Sequence, residues 1–414
     1  MAEKKRIEWI DELKGFSMYT VILCHLNVYK PLRNWMVSFN MPIFFMMSGA
    51  TFNIQKVKDT KFSAYFSQMV KRLLVPYFWL QMLSFITRYA VNLAGAHKEV
   101  PVLKYLKGIL VGNNLIIGAP SNPLYYIYML FLAQLGLWVI VRLSGGRRSY
   151  MTALLTFLSL ISVCTQGVDL PWHINGVPNV MLSIFLGRIL MDIYLQNKKR
   201  IDSIKGGSYL FICLVLLGAG FVFSRINGTV STHGNTFGKE YFLYLISGYA
   251  TSVGFALLAM RLPLSRLFTF VGRNTLFYMG IHKPVLLLFE EIFEKYENEM
   301  LFVIPTSVVC LLLLVPCAMI ANRFFPYING NVIKKETGLV SLGKYLAVAA
   351  AWAVPYLYFN NHFMDGFLRE SFGTQVLSAV AYIVIVVFAT TLIDRFVPFV
   401  FLSDNSKTNK AVKP

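Results

Sequence analysis

The sequence predicts an all-α polytopic membrane protein with about twelve transmembrane helices and both termini in the cytoplasm. Three observations predict it. Of 414 residues, 56% are hydrophobic and 14% charged, against roughly 45–50% and about 25% in soluble domains. The apolar residues gather into runs of about 20, the length that crosses a bilayer as a helix. They are continuous rather than alternating, so helices and not a barrel are expected. Lysine and arginine then sort loop by loop, with 26 on one side of the expected spans, 9 on the other and four within them. That asymmetry is the positive-inside pattern. The net charge of +19 is therefore topological, and nucleic acid is excluded as its partner.

The expected spans are 10–29, 35–54, 72–93, 122–142, 150–167, 177–196, 207–224, 241–260, 266–289, 301–323, 342–360 and 375–401. The first follows a basic head (Lys4, Lys5, Arg6). It lacks a small-residue cleavage site, so it is expected to stay as a helix and not to be removed as a signal. The second carries Pro42 near its middle and closes on Ser48-Gly49, small residues that let helices approach closely. The third opens on Lys71-Arg72. The next four are bounded by Arg142, Arg147 and Arg148 on one turn and by Lys198 to Lys205 on another. The ninth carries Arg273-Asn274 near its inner end and contains Pro284, where a kink is expected.

An acidic run from Glu290 to Glu299 reads as a solvated outer cap. The polar stretch 330–341 breaks the chain before the last two spans, which look like an added hairpin. No internal repeat is visible. The five cysteines lie mostly in apolar runs without C-x-x-C spacing, so neither a disulfide framework nor a metal site is expected.

The first span holds the main chemical anomaly. "WIDELKGFSMYTVILCHLNVY" places His25 inside an apolar run, and an intramembrane ionisable group is by default functional. Lys14 and His25 are eleven residues apart, which on a helix is about 20° around the axis and about 16 Å along it. Asp11 lies about 40° off that line, and Tyr29 follows one turn after His25. One face would thus carry Asp11, Lys14, His25 and Tyr29, a stripe suited to a tunnel. Imidazole can take a proton from an alcohol and return it to a leaving group. The competing reading is a histidine tied to a carbonyl between helices.

The stretches "WIDELKG", "SFNMPIFFMMSG" (Ser38 to Gly49), "KRLLVPYF" (Lys71 to Phe78), "FLGRIL" (Phe185 to Leu190) and "VGRNTLFYMGIHKPVL" (Val271 to Leu286) follow one another in order. With "FFPYING" ending at Gly330, they resemble the acyltransferase-3 family of integral membrane acyltransferases, which includes bacterial O-acetyltransferases of surface polysaccharides. The resemblance covers roughly residues 6–330, a ten-helix domain taken as 1–330, with 331–414 as an additional C-terminal hairpin and tail. It implies transfer of an acyl group, acetyl in the first place, from cytoplasmic acyl-CoA to a sugar hydroxyl in a bacterial plasma membrane. It implies that His25 is the essential residue and that Lys14 and Arg72 are basic groups at the cytoplasmic mouth. The chain departs from the pattern where many members have arginine at Lys14 and at Met69, histidine at Asn40 and a tryptophan motif at the fourth span.

The residues themselves add the following. Arg72 and Lys71 are placed to meet CoA phosphates, since arginine–phosphate contacts are short and often bidentate; plain positive-inside flanking fits Lys71 as well. Asn40, Ser48, Arg273, Asn274 and His282 are candidates for substrate binding, His282 also for a second acid/base or for bracing the kink at Pro284. Asp11 and Tyr29 are candidates for orienting the site. His97, His173, His233 and His362 fall in expected outer loops and read as solvent-facing. His25 acts either as general base or as acyl acceptor. The donor is expected as a co-substrate, with no tightly bound cofactor. The rival readings are a twelve-span secondary transporter, which would show repeat symmetry and paired broken helices, and a polysaccharide exporter or polymerase.

Overall fold

The computed structural model of the protein describes residues 6–91, 102–112, 122–168, 170–262, 265–292 and 300–330. The expected spans 342–360 and 375–401, the hairpin they form, His97 and His362 lie outside the described residues.

Among the described residues the chain is helical throughout, with one isolated bridge between Ser231 and Thr236 and no strand. In chain order the α-helices are α1 (Glu8–Cys24), α2 (Lys30–Ala50), α3 (Ile54–Asp59), α4 (Phe62–Met69), α5 (Val75–Val91), α6 (Val102–Val111) and α7 (Tyr125–Leu143). They continue as α8 (Arg148–Cys164), α9 (Val177–Ser203), α10 (Gly206–Asn227), α11 (Tyr241–Arg261), α12 (Arg266–Arg273), α13 (Thr275–Ile292) and α14 (Met300–Phe324). Each of the first ten expected spans coincides with helix.

Five helices are long and apolar enough to cross a membrane, judged by length and composition among the described residues: Tyr125–Leu143, Pro171–Ser203, Gly206–Asn227, Tyr241–Arg261 and Phe302–Arg323. The protein is multi-pass. Helices α1 and α2 are not in that group, since α1 has 17 residues and α2 carries Lys30, Arg33, Asn34 and Asn40, and both sit at the centre. α1 packs on α2, α11, α12, α13 and α14, and α2 on α9, α10 and α11. A helix walled by protein can carry polar groups that a lipid-facing helix cannot. The contrast with α10 is plain, since only 22% of its apolar stretch is buried inside the protein.

Glycines set the closest crossings. A Cβ on Gly49 would collide with the Ile184 carbonyl, and one on Gly187 with the Met46 carbonyl. α2 and α9 therefore touch backbone to backbone through a reciprocal pair. Gly15 and Gly272 do the same for α1 and α12, against the carbonyls of Phe268 and Asp11. Small residues are what permit such approach between membrane helices.

Three boundaries differ from the sequence reading. α1 ends at Cys24, and His25 caps it with its N–H on the carbonyls of Ile22 and Leu23. Pro31 lies in the first turn of α2, where a missing N–H costs nothing. The third span is preceded by α4 and a π-helical turn over Val70–Leu74. Pro76 lies four residues beyond Arg72 and lacks an N–H for the Arg72 carbonyl, and the ladder widens so that Val75 N–H reaches Val70 O. The ninth span is two helices, broken at Asn274 (φ −111°, ψ 23°).

Candidate active site

The break at Asn274 and the π-turn at Arg72 face one another across a cavity of about 830 Å³. Its lining includes five cations, Arg6, Lys14, Lys56, Arg72 and Arg273, and among the described residues no carboxylate. Ser48, Tyr65, Gln68 and Gln134 add neutral polar groups, and Phe52, Leu73, Leu130 and Phe270 add apolar ones. Ser48 and Tyr126 both line it, and the Tyr65 hydroxyl donates to Gln134 Oε1 at 2.7 Å.

The cations are not equivalent. Asp11 is buried behind the wall and pairs with Arg6 at 2.5 Å and with Arg273 at 3.5 Å. Among the described residues, no carboxylate forms an ion pair with Lys14, Lys56 or Arg72. Three positive charges are thus left facing the cavity, a local field that favours polyanions. The Arg72 backbone is fixed from the far side by Gly330, whose φ of +74° and close approach to the Arg72 carbonyl leave no room for a side chain.

Asn274 is held by its own network. Its Nδ2 donates to the Phe270 carbonyl at 2.8 Å, while its Oδ1 accepts from Asn322 at 2.5 Å and Asn329 at 3.0 Å. Asn329 also donates to Asn322 Oδ1 at 2.7 Å and accepts from Phe277 N–H at 3.1 Å. Both ends of the Asn274 amide are therefore occupied within the protein, as needed for a buried amide. The triad closes the floor of the cavity and stabilises the break between α12 and α13.

His25 lies away from this lining, at the opposite end of α1, about 16 Å along the axis from Lys14. It is half-buried. Its ring faces His282, with centroids 5.1 Å apart. Lys283, Arg33 and His233 lie within electrostatic reach. His282 is fully buried, and its Nδ1 is 2.7 Å from the Tyr278 carbonyl.

Asn40 is buried beside this end. Its Oδ1 accepts from the Met41 N–H at 2.7 Å and its Nδ2 meets Cys24 Sγ at 3.8 Å, so it links α2 to the end of α1. Lys71 is exposed and outside the cavity lining. Tyr29 precedes α2 at 66% exposure, so the turn after Cys24 takes it off the face that Asp11 and Lys14 share. His173 does not face solvent: it is buried and stacks on Tyr128 at 5.9 Å, with a left-handed backbone of φ 45°. Sequence reasoning assigned Arg6 and Lys56 only to loop charge, and Asn322 and Asn329 to nothing. Asn322 and Asn329 lie 48 and 55 residues from Asn274, and no local periodicity connects them.

Among the described residues, no group of three or more His, Cys, Asp or Glu side chains could hold a metal ion.

The fold and the site define a multi-pass helical membrane protein with a cation-lined cavity at one end of its central helix and a histidine at the other. The chain belongs to the acyltransferase 3 family, whose sequence model, described as an acyltransferase domain, matches residues 7–323. It is accordingly an acyltransferase enzyme. No curated protein and no solved structure matches it.

Proposed function

We propose that this enzyme moves an acetyl group from acetyl-CoA to a sugar hydroxyl of an exported or surface glycan, in a bacterial plasma membrane with the basic end facing the cytoplasm. One observation carries the donor half of this reading: a cavity of about 830 Å³ that presents five cations and, among the described residues, no carboxylate. Lys14, Lys56 and Arg72 would bind the CoA phosphates, since charge-assisted contacts to phosphate are about twice as strong as neutral ones. Arg273, anchored by Asp11, would fix their orientation. The extended pantetheine arm of the donor would run along α1, carrying the thioester toward His25.

At the far end, His25 would act as the general base. The acceptor hydroxyl gives its proton to the imidazole as its oxygen bonds to the acyl carbon. The carbon–sulfur bond then breaks, and the departing thiolate takes the proton back. Asn40 and His282 flank the position at which the sugar would arrive, and Ser48 lines the donor side.

Equilibrium binding of acetyl-CoA to the detergent-purified protein tests the donor half. Saturable binding that weakens with added salt supports it; no binding, or binding indifferent to salt and to Arg72→Ala, would remove it. Trapping a radiolabelled acyl-enzyme on donor alone would replace the base route with a covalent one.

A further inference from the structure

His282 carries information that its burial alone does not. Its Nδ1 lies 2.7 Å from the Tyr278 carbonyl. A carbonyl can only accept, so Nδ1 must carry the hydrogen and the neutral ring presents a lone pair at Nε2. That Nε2 is buried and has no hydrogen-bond partner among the described residues, which is uncommon for a buried polar atom and calls for a reason. The ring it belongs to is the one that faces His25 at 5.1 Å.

The surroundings of His25 make an acceptor valuable. A base that takes a proton becomes an imidazolium, which in hydrolase triads is stabilised by a carboxylate on its other nitrogen. Among the described residues, the charged and titratable groups acting on His25 are His282 and Lys283 from α13, Arg33 from α2 and His233 from the loop before α11. Every one is neutral or cationic. His282 is the one group among them that its backbone contact fixes as an acceptor.

We infer that His282 is a positioning residue for His25, accepting the N–H of the catalytic imidazole so that the opposite ring nitrogen is held bare toward the acceptor hydroxyl. The inference rests on the proposed role of His25 and extends it. The proton that His25 gains from the hydroxyl returns to the thiolate, and His282 itself gains and loses none. The neutral lone pair orients the ring and steadies the transient charge without a carboxylate, whose desolvation inside the bundle would be costly.

The test uses membrane vesicles from the native host, which carry the endogenous acceptor, supplied with radiolabelled acetyl-CoA. His282→Ala should lower kcat by about 10²-fold, the cost of misplacing a reacting group, with KM for acetyl-CoA unchanged. His282→Gln places an acceptor oxygen near the lost Nε2 and should recover part of that loss. The inference is overturned if His282→Ala keeps its kcat, if Gln does no better than Ala, or if acetyl-CoA binding falls along with kcat, which would mark a packing role. His25→Ala run beside them separates the two levels. If it still turns over, the proposed reaction fails as well; if it is dead while His282→Ala is not, only the inference fails.

Discussion

Asp11 grips Arg6 through two parallel bonds, Nε to Oδ2 at 2.5 Å and Nη2 to Oδ1 at 2.9 Å. The carboxylate is 4% exposed and the guanidinium 60%, so a buried anion anchors a cation whose other face is wet. Arg273 approaches the same Oδ2 from the start of the helix break. The pairing thus ties the chain before α1 to the end of α12 and sets two of the five cations around the cavity.

Asp11→Asn keeps the volume and removes the charge. Charged hydrogen bonds contribute about 1.5–3 kcal/mol, so the variant should unfold at lower temperature in detergent and bind acetyl-CoA more weakly as Arg273 loses its anchor. Unchanged thermal stability together with unchanged donor affinity would show that the clamp does nothing.

Arg72→Ala and Lys56→Ala remove cations that pair with no carboxylate among the described residues. Each should raise KM for acetyl-CoA about tenfold, the equivalent of about 1.4 kcal/mol for one lost phosphate contact, while kcat holds. Lys71→Ala is the matched control: its side chain is exposed and outside the lining, so KM should stay where it is. A donor KM that responds to Lys71 and not to Arg72 would relocate the phosphate site.

His25→Ala should abolish acyl transfer while membrane insertion and protein amount stay normal, because His25 ends a helix at a half-buried position and is not packed inside one. Mass spectrometry of surface glycans from cells carrying the variant gives the readout. Wild-type O-acylation there would defeat the mechanism.

The fold and the site were legible to different depths. Helix over each of the first ten expected spans could be read because twenty-residue apolar runs are local properties. Two of the missed boundaries were set by single residues: Pro76 widens the turn at Arg72, and Asn274 breaks a run that is apolar on both sides. The histidine and the cations Lys14, Arg72 and Arg273 stood out because charge in an apolar stretch is costly. Arg6 and Lys56 did not, since basic residues flanking spans are common and only the folded chain brings these two to the cavity. His173 was misread for a related reason. A loop position implies solvent by default, yet the left-handed turn at Trp172 and His173 folds the ring inward onto Tyr128.

The reciprocal glycines of α2 and α9 offer the sharpest test of packing. Gly49 and Gly187 each lie where a Cβ would meet a carbonyl of the partner helix, and a carbonyl cannot move aside as a flexible side chain can. Gly187→Val should therefore force the helices apart, costing at least the roughly 1–3 kcal/mol typical of overpacking. The protein should fall in abundance and in unfolding temperature. Gly218 in α10 has open space where a side chain would go, so Gly218→Ala should leave abundance intact or raise it slightly, as alanine is the better helix former by about 1 kcal/mol. Separation of α2 from α9 would also tilt Ser48 relative to Tyr126 at the cavity wall, so any residual Gly187→Val protein should show a raised donor KM. Equal abundance and equal KM for the two variants would mean that this crossing is looser than the backbone contact implies.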